Sequence, residues 1–354
     1  MMDEEFWRGK RVFVTGHTGF KGSWLCIWLN SLGAQVHGYA LAPPTTPSLF
    51  EQARVAELVD GELGDVCNAV DLTRSLTAFQ PDIILHMAAQ PLVRASYQNP
   101  VETYATNVMG TVHLLEAARH VPTVRAVVVV TTDKCYENRE WEWGYRECEP
   151  MGGHDPYSNS KGCAELVTDA YRRSFFAQTD IAVGSARAGN VIGGGDWAED
   201  RLVPDILKAF QEGRPAIVRN PNAIRPWQHV LEPLSGYLLL AETLYKQGHE
   251  AARAWNFGPL DEGARPVDWI AGCMSELWGE GASWELMADT AQPHEATYLK
   301  LDISRARTYL HWSPTWTLQE TLARIVDWQR AWLAGSGAQQ LCLDEIAHFR
   351  RSWS

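Results

Sequence analysis

Apolar residues in the first half of the chain come in short unbroken blocks. RVFVT (11–15), QVHGYAL (35–41), DIILHMAA (82–89), RAVVVVTT (125–132) and IAVGSARA (181–188) are too short for buried helices and rich in β-branched side chains. Each therefore reads as a strand buried on both faces. Helical patterns follow the first run (FKGSWLCIWLNSLG) and fill 100–119, between the third and the fourth. Strands alternating with helices predict βαβ units, a parallel sheet covered on both sides and right-handed crossovers.

Past residue 188 the rhythm changes. GGGD (193–196) and prolines at 204, 215, 221 and 226 punctuate shorter elements, without a low-complexity linker or internal repeat. The predicted organisation is a nucleotide-binding domain over 1–188, a smaller substrate-binding region over 189–335 packed against it, and a tail over 336–354. Segments near 226–256 are placed to return to the sheet.

Composition narrows the partners. At 354 residues the chain is long enough for a sizeable core, and a formal net charge of −12 argues against a general nucleic-acid or anionic-membrane surface. An anionic ligand would therefore have to be met by a local arginine cluster. No apolar run reaches the roughly 18 residues a membrane helix needs, and MMDEEFWRGK lacks the features of a signal peptide. Seven cysteines without CxxC spacing read as free thiols of a reducing, cytoplasmic compartment. No cluster has metal-ligand spacing.

The first run leads directly into TGHTGFKG, with Gly16, Gly19 and Gly22 in GxxGxxG spacing before a helix. Glycines let the backbone approach a pyrophosphate, and a helix N-terminus offers it unpaired N–H groups. The pattern predicts a dinucleotide site on a doubly wound α/β sheet of the Rossmann type. The second strand ends Gly38-Tyr39-Ala40-Leu41, with neither the acid that holds a ribose 2′-hydroxyl nor an arginine for a 2′-phosphate. Asp65 and Val66 are candidates for the adenine edge.

The fourth run emerges as Thr131-Thr132-Asp133-Lys134, two hydroxyls, an acid and an amine in succession. Tyr157 and Lys161, four apart on a predicted helix, share a face. A nearby ammonium would lower the phenol pKa and make tyrosinate accessible, and a lysine can also hold a nicotinamide ribose.

Together these stretches resemble the extended short-chain dehydrogenase/reductases, and within them the nucleotide-sugar 4,6-dehydratases, nearest to the branch acting on CDP-glucose. The resemblance runs over roughly residues 8–330, through TGHTGFKGSWL, HMAAQPLVRASYQNP, TNVMGT, TTDKCYENREW, GGHDPYSNSKG, ARAGNVIGGGDWAEDRLVPD and RPWQHV. It implies a tightly held NAD, regenerated each turnover, contacted by Gly16, Thr18, Gly19, Phe20, Gly22, Asp65, Val66, Ala88, Ala89, Asn107, Tyr157 and Lys161. Tyr157, assisted by Thr132, would take the sugar 4-hydroxyl proton while hydride leaves C4. Loss of the C5 proton and of the 6-hydroxyl as water would follow, with hydride returned to C6. Asp133 matches the family's acid; Lys134 stands where the dTDP- and GDP-sugar branches carry a glutamate base, and the two roles could be exchanged. Asn190, Arg201, Arg225 and Asn256 lie where the family contacts nucleotide and diphosphate, Arg225 foremost because a guanidinium binds phosphate through two parallel bonds.

The family further implies a homodimer or homotetramer, paired through helices such as 100–119 and 155–177, and a place in deoxysugar and O-antigen biosynthesis. Other readings are a dehydratase or 4-epimerase on a dTDP-, UDP- or GDP-linked sugar, a keto-reductase, or a non-catalytic NAD-binding scaffold. The Thr-Asp-Lys triplet argues against an epimerase or reductase, and the intact Thr132, Asp133, Tyr157 and Lys161 argue against a scaffold.

Overall fold

The structure, a computed structural model, describes residues 2–279, 281–287 and 298–353. Its strands are β1 (Arg11–Thr15), β2 (Gln35–Ala40), β3 (Asp60–Leu63), β4 (Ile83–His86), β5 (Ala126–Val130), β6 (Ala182–Ala188), β7 (Asn190–Ile192), β8 (Ala216–Val218), β9 (Ile224–His229), β10 (Ala254–Phe257), β11 (Ala264–Pro266) and β12 (Trp284–Leu286). Seven of them form one sheet in the order β10-β6-β5-β4-β1-β2-β3, every neighbouring pair parallel. The doubly wound parallel sheet anticipated from the five apolar runs is thus present. β3 has the sequence DGEL and is largely exposed at the sheet edge, so no apolar run announced it.

The chain winds outward from β1 to β3, then crosses back to β4. That reversal opens a crevice beyond the C-terminal ends of β1 and β4, where ligands of such sheets bind. Helices Phe20–Ser31 and Leu231–Gln247 cover one face of the sheet; Ala69–Phe79, Gly110–Ala118 and Pro156–Tyr171 cover the other. The segment 100–119 is Pro100–Tyr104 and Gly110–Ala118 joined by a π turn, Ala105–Met109.

The second half does not stay apart. Helix Leu231–Gln247 and β10 complete the first core and the sheet edge. The tail, to which the sequence assigned no role, forms helix Ala338–Ser352. It docks on helix Phe20–Ser31, with Phe349 against Trp28 at 5.8 Å and the Gln339 amide donating to the Ala53 carbonyl at 3.1 Å. A second core, formed largely around helices Leu202–Gln211, Val267–Trp278 and Leu318–Leu333, lies beneath the small strands.

One buried network ties these layers behind β5. The Glu165 carboxylate accepts from Thr131 on one oxygen, and from Ser185 and Arg187 at 2.7 Å each on the other. Arg187 also donates to the Tyr136 hydroxyl at 2.8 Å, which donates to Asn256 at 2.7 Å. Burial alone would raise the Glu165 pKa, but Arg187 and the two hydroxyls outweigh it and hold the group ionised.

Removing one partner of so buried an ion pair leaves an uncompensated charge. Arg187→Met is therefore expected to cost about 3–5 kcal/mol, read as a lowered urea midpoint; an unchanged midpoint would remove this pair as a major constraint. Glu232 supplies a pH-dependent counterpart. Burial pushes its carboxyl up to about 8, against the backbone N–H groups of Trp316 and Thr315 that it accepts. A folded-state value above the unfolded one stabilises fully below the unfolded pKa of about 4.3. That stabilisation is lost as pH rises through about 8. Glu232→Gln should therefore gain Tm relative to the wild type on going from pH 5 to pH 8, roughly the span between those two values; a constant difference would refute this.

Candidate active site

A cavity of about 670 Å³ lies at the crevice between β1 and β4, lined by Gly16, Thr18, Gly19, Phe20 and Gly22 of the glycine loop, by Asp65 and Val66, and by Ala88 and Ala89. Glycine is obligatory at Gly16, where φ is +78° and a Cβ would stand 2.8 Å from the Ala88 nitrogen. At Gly22 a Cβ would fall 2.1 Å from the Gly16 carbonyl oxygen. The loop thus folds tightly onto the start of helix Phe20–Ser31, whose N-cap Gly19 places no side chain over its first N–H groups. That leaves a cradle for a pyrophosphate.

The Thr18 hydroxyl ties this loop to the end of β2 by donating to the Leu41 carbonyl at 2.8 Å. The Asp65 side chain turns one oxygen into its own loop, accepting from the Cys67 N–H at 2.9 Å. Asn107 departs from expectation. It is buried, accepts from the Gln90 N–H, and donates to the Gln90 carbonyl and the Ser160 hydroxyl. It shapes the loop after β4 and does not face the cavity.

A second cavity, of about 300 Å³, shares Phe20, Lys21, Pro91, Leu92, Asp196 and Arg201 with the first, and holds Thr132, Asp133, Lys134 and Tyr157 in its wall. The two cavities therefore adjoin. The Thr132 hydroxyl donates to Asp133 Oδ1 at 2.9 Å. Asp133 Oδ2 is buried and finds no hydrogen-bond partner among the described residues. Burial raises the Asp133 pKa, with Lys134, Thr132 and Arg225 opposing. Its carboxyl is therefore poised to carry a proton toward whatever occupies the cavity.

Tyr157 corrects the sequence expectation. Burial pushes its phenol up to about 12, countered by a hydrogen bond with Thr132 and by the Arg201 charge, while Asp133 when ionised pushes it further up. The chain alone therefore keeps the phenol protonated. Lys161 is itself brought down to about 8 by burial, with Glu165 opposing, and its ammonium donates to the Val130 carbonyl at 3.2 Å.

Of the candidate substrate contacts, Asn190, Arg201 and Arg225 all line the second cavity. Arg225 is buried beside Asp133, and Arg201 pairs with Asp196 at 2.8 Å. Asn256 does not reach the cavity. It accepts from Tyr136 and donates to the carbonyls of Tyr145 and Asp302, so it braces the buried network.

Two residues carry more than the sequence suggested. Arg219, which no motif singles out, lines the second cavity. Lys21 stands in the shared wall, its ammonium brought down to about 7 by burial and by Lys161 and Arg201, with Asp133 opposing. A lysine inside GFKG, amid apolar neighbours opening a helix, was the available signal. Among the described residues no group of three or more His, Cys, Asp or Glu side chains could hold a metal ion.

Comparison with known proteins agrees with this geometry. Residues 13–325 match the family of GDP-mannose 4,6 dehydratase. The chain is 59% identical to the CDP-glucose 4,6-dehydratase of Salmonella typhimurium over 95% of its own length and 94% of the relative's. Among solved structures, MoeE5 in complex with UDP-glucose and NAD is 25% identical with a TM-score of 0.77, covering 91% of this chain and 99% of that one. The UDP-glucuronic acid 4-epimerase of Bacillus cereus, solved with UDP-glucuronic acid and NAD, shares the fold at TM-score 0.79 and 24% identity, over 91% and 99% of the two chains. A glycine cradle, a strand-end Thr-Asp-Lys and a YxxxK helix converging on two joined cavities thus find their place: the chain belongs to the GDP-mannose 4,6 dehydratase family, the nucleotide-sugar 4,6-dehydratases among the extended short-chain dehydrogenases/reductases.

Proposed function

We propose that this protein is an NAD-dependent CDP-glucose 4,6-dehydratase, converting CDP-D-glucose to CDP-4-dehydro-6-deoxy-D-glucose and water. The observation that carries the reading is Asp133, a buried acid with an unpartnered oxygen that lines the second cavity together with Lys134 and Tyr157. The 59% identity to a relative of that activity supports the CDP-glucose assignment. The glycine loop, Val66, Ala88 and Ala89 would hold the cofactor. When bound, NAD supplies the hydride acceptor at C4 and the donor at C6.

The chain's own residues handle the protons. Acting as tyrosinate, the form that Thr132 and Arg201 favour against burial, Tyr157 takes the proton of the 4-hydroxyl. A protonated Asp133 assists by its neutrality, since it no longer repels the tyrosinate. Lys134 removes the C5 proton made acidic by the 4-ketone. Asp133 then gives its proton to the departing 6-hydroxyl, which leaves as water. The protonated Lys134 returns a proton to C5, and the one Tyr157 gained replaces the one Asp133 gave. The raised Asp133 pKa favours this division of roles over its exchange.

A homodimer or homotetramer fits the surface. Val101 is 83% exposed and Leu166 60%, on helices packed side by side, with Tyr104 and Phe175 near them. Among the described residues no helix is long and apolar enough to cross a membrane; the cysteines, all free, are in keeping with a reducing cytoplasm.

The test is incubation with CDP-glucose, dTDP-glucose, UDP-glucose and GDP-mannose in D2O, read by mass spectrometry and NMR. A 4-keto-6-deoxy product from CDP-glucose, with deuterium at C5 and no net reduced cofactor, is expected; epimerised sugar without loss of water overturns the reading. Lys134→Gln should lose C5 exchange, and Asp133→Asn should keep exchange while elimination slows, each by about 10²–10⁴-fold. The reverse pattern would exchange their roles. Leu166→Glu should shift the light-scattering mass toward the monomer, and an unchanged mass would place the interface elsewhere.

A further inference from the structure

The substrate cavity carries acids that neither proton chemistry nor phosphate binding uses. Away from Thr132, Asp133 and Tyr157, its wall includes Asp200, Asp205, Ile217 and Arg219. A diphosphate would be repelled by a carboxylate, so an acid kept in this wall must face a part of the ligand that donates hydrogen bonds. The sugar is fixed at the catalytic end and the phosphates are served by Arg201 and Arg225. The nucleoside is left for this remaining stretch.

The acids differ in what they have free. Asp200 accepts from Arg219 at 2.8 Å and pairs with Arg94 at 3.5 Å. Asp205, in the first turn of helix Leu202–Gln211, comes no nearer than 4.0 Å to Arg219, beyond hydrogen-bond distance. It is held near a cation with its acceptor oxygens unspent. Around it, Leu202, Pro204 and Ala223 supply apolar wall, and Ile217 is exposed between the buried Ala216 and Val218. Apolar wall beside a carboxylate with unspent oxygens suits a heterocycle bearing an amino group.

We propose that Asp205, oriented by Arg219, determines the base specificity by accepting a hydrogen bond from the 4-amino group of cytosine. Uracil and thymine present a carbonyl oxygen at that position, and acceptor would meet acceptor. The discrimination is then partly repulsive, as specificity commonly is. This inference rests on the CDP-glucose reading above.

Asp205→Asn separates the two, because an amide can turn either its oxygen or its NH2 toward the base. The kcat/KM preference for CDP-glucose over UDP-glucose should fall about tenfold or more, the size of one charge-assisted hydrogen bond, with the change in KM. In the wild type, the diphosphate of the pyrimidin-2-one riboside, which is cytidine without its amino group, should bind about tenfold more weakly than CDP by calorimetry. In the variant that difference should shrink to that of a neutral hydrogen bond, a few-fold. An unchanged CDP-to-UDP ratio, or equal weakening of CDP and UDP as a ribose contact would give, overturns the assignment. If wild-type protein shows no preference for CDP-glucose, the functional reading itself fails; if it does and the variant keeps that preference, only the role of Asp205 fails.

Discussion

The buried carboxylate of Glu165 is the constraint on which the active site depends. It stands one helical turn beyond Lys161 and receives Thr131 from β5, and Ser185 and Arg187 from β6. Helix Pro156–Tyr171, which carries Tyr157 and Lys161, is thereby locked to the strand end that carries Thr132 and Asp133. Desolvating such a charge is costly, and only a full set of partners offsets it. The network is therefore close to all-or-none, which suits a site whose reacting groups belong to different elements. Through Arg187, Tyr136 and Asn256 the same constraint reaches β10 and the loop carrying Tyr145.

The site it frames works by opposed environments. Burial pushes Asp133 and Tyr157 toward their neutral, protonated forms and Lys161 and Lys21 toward theirs, unprotonated. The site therefore carries less net charge than the same side chains would in water. The glycine loop holds its ligand by backbone alone, so the side chains facing the joint between the cavities remain available for chemistry.

What the sequence made legible was whatever has a short-range signature. Apolar β-branched runs marked the five inner strands, and three glycines after the first of them marked the cradle. Thr132, Asp133, Lys134 and Tyr157 could be placed together because they follow strand end and helix start in a familiar order. β3 was missed since an exposed edge strand has no need of apolar residues, and DGEL looks like a turn. Asn107 and Asn256 were read as ligand contacts, but an asparagine's amide serves a buried carbonyl as readily as a ligand, and only tertiary packing decides which. The phenol of Tyr157 was expected to be acidified by its lysine neighbour; the depth at which it is buried, invisible in the spacing, reverses the sign. Arg219 had no sequence signature, because the fold alone brings it to the cavity wall.

The seventh strand, β10, is formed by residues 254–257, and the helix sealing the first core against Trp28 ends at Ser352. A ribosome must thus have made residues as far as Ser352 before this core can close. Until then the strand pairing surface of β6 and the indole-rich side of helix Phe20–Ser31 stay uncovered. Until those segments emerge the growing polypeptide carries a sticky half-built sheet, and its safe passage is a matter for whatever shields nascent chains rather than for early folding of a first domain.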